Sequence, residues 1–129
     1  MVPELDTDRF LAAWDDALAA PAWDGPDVLV HCDLLPDNVL IDRGRLSAVI
    51  DWGSLSVGDP ARDLSAAWTL VSGDARAVFR AAIGGDDATW ERARSSLLGN
   101  IIGVVYYKER SPAYAAECWD RAIAALSPG

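Results

Sequence analysis

Two β-prone runs, Val39-Leu-Ile41 and Leu46-Ser-Ala-Val-Ile50, are separated by Asp42-Arg-Gly44 and flanked on both sides by polar residues. An Asp-Arg-Gly connection suits a tight turn with Gly at a positive φ, so the two runs are expected to pair as an antiparallel hairpin. This pairing constrains the fold more than any other feature, because it returns the chain to its starting point. The segment His31-Cys-Asp-Leu-Leu-Pro-Asp-Asn38 before the hairpin and Asp51-Trp-Gly53 after it are thereby set side by side. An imidazole, carboxylates and a carboxamide at strand ends are placed for chemistry.

The remaining chain is read mainly as helix. Thr7 is expected to cap a helix to about Ala20, since Phe10, Leu11, Trp14 and Leu18 recur at helical spacing, and Pro21 stops it. Val28-Leu-Val30 reads as a short buried strand after a Pro- and Gly-containing loop. Trp52 to Asp59 reads as a loop, and Asp59-Pro60 as a helix start, with an acceptor at the cap and Pro at the first helical position. That helix carries Leu64, Trp68 and Val71 and ends near Gly73; a second runs from Asp74 to about Ile83, before Gly84-Gly85. Asp86 or Asp87 begins a longer helix reaching about Tyr107, and Ser111-Pro112 opens the last. Few strands followed by helices predict an α+β fold, mostly helical, with a small hairpin bearing the polar loops. No repeat or linker interrupts it, so residues 1–129 are expected to form a single domain.

Composition narrows the class. Apolar residues make up 51% and charged residues 24%, with six Trp, as expected of a chain that folds around a core. A net charge of −9 repels nucleic acid and anionic membrane surfaces and favours cationic or neutral partners. Cys32 and Cys118 are two cysteines far apart, neither a zinc pattern nor a disulfide framework, and no signal peptide or membrane-length apolar run stands out. A cytoplasmic location is the expectation.

Phosphoryl transfer needs a carboxylate to orient and deprotonate an acceptor hydroxyl, and hard oxygen ligands to hold magnesium on the phosphates. Asp33 and Asn38 have the spacing of a kinase catalytic loop, with the Asp as base and the Asn as metal ligand, and Asp51 with Gly53 has the pattern of the second metal site. His31 is expected to brace the backbone rather than touch substrate. Asp59 is expected to cap a helix, Asp63 to hydrogen-bond the catalytic loop or to lie at the surface, and the Trp residues and Tyr106-Tyr107 to pack in the core.

Three motifs in order, His31 to Asn38, Ile50 to Gly53, and Gly58-Asp-Pro-Ala-Arg-Asp-Leu64, resemble the aminoglycoside phosphotransferase family through most of the chain. The resemblance implies the C-terminal catalytic lobe of a protein-kinase-like fold, with Asp33 as catalytic base, Asn38 and Asp51 as magnesium ligands, and Mg2+ and ATP as cofactors. It also implies a small-molecule substrate phosphorylated on a hydroxyl. Cys32, Leu35 and Asp37 depart from the family's usual Gly, His and Gly, and a Cys in place of Gly is expected to crowd the loop. No Gly-rich loop or phosphate-binding Lys precedes the catalytic loop, and the sole lysine is Lys108. The expectation is therefore a lobe inactive without a nucleotide-binding lobe, with a homodimer or a nucleotide-lobe partner covering the exposed cleft. The alternative is a catalytically silent binding or scaffold domain.

Overall fold

Residues 5–127 are described by a computed structural model, and in them the order is α1 (Thr7–Ala19), β1 (Val28–Val30), β2 (Val39–Asp42), β3 (Arg45–Val49) and β4 (Ser56–Gly58). Then follow α2 (Ala61–Leu64), α3 (Ala66–Thr69), α4 (Asp74–Ile83), α5 (Asp87–Leu98), α6 (Ile101–Tyr107) and α7 (Pro112–Ala124). The expected α+β architecture is present: helices accompanied by two antiparallel two-stranded ribbons, β1–β4 and β2–β3.

The predicted hairpin forms. Asp42 stands opposite Arg45, and the two residues between them, Arg43 and Gly44, have φ of 50° and 75°. Positive φ at both central positions is the type I′ turn whose twist matches that of the flanking strands. A bulge between Leu40 and Ile41 shifts the register, so that Val39 and Leu40 face Val49 and Ala48 while Ile41 faces Leu46. The other ribbon was only half foreseen. β4 lies inside the stretch expected to be a loop, and in β1 Val30 is buried whereas Leu29 is exposed. A three-residue strand between Gly53 and Gly58 is too short to declare itself by alternation.

Helix ends follow local chemistry. Asp6, not Thr7, caps α1: its carboxylate accepts from the amide of Arg9 at 3.0 Å, and Thr7 becomes the first helical residue. Asp86 caps α5 through the amide and hydroxyl of Thr89, and those bonds hold its carboxyl below the usual range. The helix expected from Asp59 to Gly73 divides at Ser65, whose hydroxyl donates to the Arg62 carbonyl at 2.9 Å in competition with the helical ladder. The one expected to reach Tyr107 divides at Gly99-Asn100. There Asn100 and Ile102 bond three residues back, to Leu97 and Gly99, which tightens the chain into a turn.

The core is built largely from alanines beneath a few large side chains. Ala13 and Ala17 of α1, Ala61, Ala67, Ala93 and Ala122 are buried with Phe10, Trp68, Trp90, Leu97 and Leu98. Small residues let the helix backbones approach closely. This corrects the expected face of α1, where Leu11 and Leu18 are exposed and the alanines turn inward. Gly103 does the same for α6: a Cβ there would lie 2.7 Å from the Cys118 sulfur of α7. Cys32 and Cys118 are both free thiols. Of the aromatics, Trp68, Trp90 and Trp119 are buried, but Trp52 and Tyr106 are exposed, contrary to the core packing expected of them. Among the described residues no helix is long and apolar enough to cross a membrane.

Candidate active site

The loop between β1 and β2 is locked from beneath. His31 is 2% exposed, and its ring bridges two backbone segments: Nδ1 accepts from the Asp33 amide at 3.2 Å and Nε2 lies 2.8 Å from the Ile50 carbonyl. An amide can only donate and a carbonyl only accept, so these partners require the neutral tautomer with its proton on Nε2. The expected bracing role of His31 is thereby explained in atoms. The Trp52 ring meets the imidazole edge-on at 4.6 Å, closing one side.

Asp63, at the end of α2, supplies the second brace. Its carboxylate accepts from the His31 amide at 2.7 Å and the Cys32 amide at 2.9 Å, so of its two expected settings the one at the β1–β2 loop is found. Paired amide donors on a single carboxylate fix the backbone at the point where it leaves β1. It leaves sharply. Cys32 has φ 69°, in the left-handed region that favours Gly, so the cost of a Cys at this position lies in its backbone. A further tie runs from the Thr69 hydroxyl of α3 to the Leu34 carbonyl at 3.2 Å.

On this base the three predicted site residues are arranged as follows. Asn38 ends a single 3-10 turn, Pro36–Asn38, and is buried. Its Nδ2 donates to the Asp33 carbonyl at 2.8 Å and to Asp33 Oδ2 at 3.0 Å, so the two side chains are in direct contact. Both bonds use the amide nitrogen, which leaves Asn38 Oδ1 and Asp33 Oδ1 for other partners. Asp51 follows Ile50, whose amide donates to the Asn38 carbonyl at 2.9 Å and whose carbonyl is the partner of His31. The return strand therefore holds the backbone of Asp51 next to that of Asn38, as the hairpin argument anticipated. Asp51 has φ 58° and its carboxylate folds back over Gly53, where a Cβ would stand 3.5 Å from Oδ1.

The donors offered here are one carboxamide oxygen and one exposed carboxylate. Such hard oxygens fit magnesium, which keeps several waters and is usually held by one or two protein groups together with substrate phosphates. No cluster of three or more His, Cys, Asp or Glu side chains among the described residues could hold a metal alone. Beside the loop a cavity of about 310 Å³ opens between Leu35, Pro36 and Asp37, Trp68 and Thr69 of α3, and the acidic face of α7. On that face Arg121 is paired with Glu117 at 2.9 Å.

One partnership escaped the sequence. Asp59 caps α2 through the Ala61 amide at 2.9 Å, as expected, but its other oxygen pairs with Arg92 of α5 at 2.7 Å. Thirty-three residues separate that pair, and nothing in local spacing announces it.

Short stretches of the chain match known proteins. A segment of 42 residues is 45% identical to the uncharacterized protein YcbJ of Bacillus subtilis, covering 32% of this chain and 14% of that protein. Another of 46 residues is 50% identical to the hygromycin-B 4-O-kinase of Escherichia coli, covering 34% of this chain and 14% of the kinase. The matched stretches thus span about one seventh of each relative's length. No solved structure matches at a significant level. Residues 2–96, which include all three motifs, match the model of the phosphotransferase enzyme family, and the chain belongs to that family.

Proposed function

We propose that this chain is the catalytic lobe of an ATP-dependent phosphotransferase that acts on a hydroxyl of a small molecule. The observation that carries the reading is the contact between Asp33 and Asn38 above a loop locked by His31 and Asp63. A base and a metal ligand held against each other on a rigid backbone are what in-line phosphoryl transfer requires, because positioning and charge stabilisation supply most of its rate.

In this reading Asp33 Oδ1 accepts the proton of the acceptor hydroxyl as its oxygen bonds to the γ-phosphorus and the bond to the leaving ADP oxygen breaks. Asn38 Oδ1 and Asp51 would hold magnesium. When bound, the ion offsets charge on the phosphates. Asn38 Nδ2 keeps the Asp33 carboxylate aimed, and the neutral tautomer of His31 holds the turn beneath both. The cavity between Asp37 and α7 opens on the same loop as Asp33, and there we place the body of the acceptor, with its hydroxyl reaching toward Asp33. Its Asp37, Glu117 and Asp120 outnumber Arg121, which suits an acceptor bearing ammonium groups, as does the likeness to a hygromycin kinase.

Lys108 is the sole lysine of the sequence, and it follows α6 rather than flanking the loop. The reading therefore requires a nucleotide-covering lobe from elsewhere, in the same polypeptide or in another. The competing reading, a silent binding or scaffold domain, draws on that same lack of a phosphate-binding lysine and on Asp37, whose carboxylate adds negative charge beside the phosphates.

Calorimetric titration with Mg-ATP and a phosphorylation assay with hygromycin B, each with and without a covering lobe, separate the two. Transfer that depends on the lobe and falls about 10²- to 10⁴-fold in Asp33→Asn is the expected result. Transfer by the 129 residues alone, unaffected by Asp33→Asn, would overturn the assignment.

A further inference from the structure

We propose that the cavity between the β1–β4 ribbon and helices α2 and α5 binds a phosphate-class dianion, at a site separate from the one around Asp33. The cavity measures about 710 Å³, within the usual range of roughly 300–1,000 Å³ for small-molecule sites. Its chemistry differs from that of its neighbours. The cavity beside the catalytic loop has three carboxylates against Arg121, and that between α1, α4 and α5 has Asp16, Asp87 and Glu91 against Arg80 and Arg94. Here the balance reverses, with Arg62 and Arg92 against Asp59 alone. In a chain of net charge −9, a concave surface with excess positive charge calls for a reason.

Arg92 is built in advance for an anion. Its side chain is 14% exposed, its Nε is fixed on Asp59, one Nη1 hydrogen is given to the Pro21 carbonyl at 3.0 Å, and the Trp23 ring lies 5.5 Å from the guanidinium carbon. These contacts hold the guanidinium plane, and among the described residues Nη2 has no hydrogen-bond partner, so little freedom is lost when a ligand takes it. Arg62 lines the same cavity, exposed and with no ion pair or hydrogen bond from its side chain among the described residues. Ser54 and Ser56 add hydroxyls that likewise have no protein partner. Two guanidinium groups and two hydroxyl donors around one space match the several acceptor oxygens of a phosphate or phosphomonoester. Asp59 opposes binding, but its charge is already matched to Arg92, so Arg62 decides the sign. The proposal stands apart from the phosphotransfer reading: this cavity shares no lining residue with the one assigned to the acceptor, and none of Asp33, Asn38 and Asp51 lines it.

The test is a titration of the ¹⁵N-labelled chain, without magnesium or nucleotide and at constant ionic strength, with inorganic phosphate and separately with glycerol phosphate. Saturable shifts confined to the amides of Ser54, Ser56, Arg62 and Ser96 are expected, weakened about tenfold in Arg62→Gln and unchanged in Asp33→Asn. Arg62→Lys, which keeps the charge and loses the fork, is expected to fall between. Tighter binding of glycerol phosphate identifies a phosphorylated small molecule as the ligand, and equal binding identifies free phosphate. Shifts that never saturate, that scatter over the other arginines, or that survive Arg62→Gln show an adventitious ion only and overturn the site.

Discussion

The two ends of the hairpin are treated in opposite ways. At its base, where His31, Asn38 and Ile50 meet, both nitrogens of the buried His31 ring and the Asn38 amide nitrogen are hydrogen-bonded, and among the described residues no fully buried side-chain nitrogen or oxygen lacks a hydrogen bond. Toward its tip Ile41 and Leu46 face each other across the strands, yet they are 63% and 64% exposed. The β1–β4 ribbon repeats the pattern, with Leu29 opposite Val57 at 71% and 62%. Rigidity is concentrated under the chemistry and apolar surface is left uncovered around it. On the proposed function, that is the arrangement expected of a lobe that positions reacting groups itself and leaves its outer strands for something else to cover.

The comparison is tested most severely at Asp63. Asp63→Ala removes the acceptor of two backbone amides, next to a side chain that is 2% exposed. A buried donor left unpaired costs about 1–3 kcal/mol, so a loss of about 3 kcal/mol is expected in urea unfolding. A loss below about 1 kcal/mol would mean that water or a shifted loop replaces the carboxylate, and that the base of the hairpin is not rigid. Gly44→Ala probes the opposite end. At φ 75° an added Cβ finds open space, so the cost is conformational alone, about 1 kcal/mol. Because the tip is uncovered, that loss should leave the Ile50 and Asp33 amides protected in hydrogen exchange, whereas Asp63→Ala should expose them.

Cys32→Gly should act in the other direction. At φ 69° a non-glycine residue pays about 1–2 kcal/mol, and the added freedom of Gly in the unfolded chain returns part of it. A net gain of about 0.5–1 kcal/mol is expected, read as a rise in the urea midpoint at unchanged slope. No gain would show that the thiol, which lies 3.7 Å from the Val30 carbonyl, contributes more to the loop than its backbone costs.

What was legible in the sequence follows the same division. The hairpin, the positive φ of Gly44 and the proximity of Asp51 to Asn38 could be read because Gly44 and the flanking β-prone runs act within a dozen residues, whereas the positive φ of Arg43 that makes the turn type I′ was not foreseen. The loop motif brought Asp33 and Asn38 together for the same reason. Contacts made across the fold were harder. Asp63 could be placed either at the loop or at the surface, and its two partners, thirty residues upstream, could not be named, while Arg92 gave no sign of Asp59. The split helices were missed because Ser65 and Gly99-Asn100 interrupt the ladder without interrupting the apolar periodicity. In α1 the alanines were passed over in favour of Leu11 and Leu18, since period alone cannot say whether the small or the large side chains meet the neighbouring helix.

The smallest expected effect on stability comes from charging the exposed cross-strand pair. Ile41→Lys and Leu46→Lys replace side chains already in water, so little transfer free energy is at stake, and each should change stability by less than about 0.5 kcal/mol. Made together they place like charges opposite each other, which adds a small penalty but breaks no buried bond. Association should respond far more. Strand edges and exposed apolar pairs are surfaces that another chain can cover, either a nucleotide-covering lobe or a second copy of this one. The net charge of −9 opposes self-contact, but charges farther apart than about 8 Å are largely screened at physiological salt, so an apolar contact can prevail. Sedimentation of the native chain across a concentration range should show reversible self-association, and the double lysine variant should remain monomeric at the same concentrations. A native chain that is monomeric throughout and binds no apolar dye would show that these residues are tolerated in water. The exposed ribbons would then be loosely held surface, and the contrast between base and tip would reflect local stability alone.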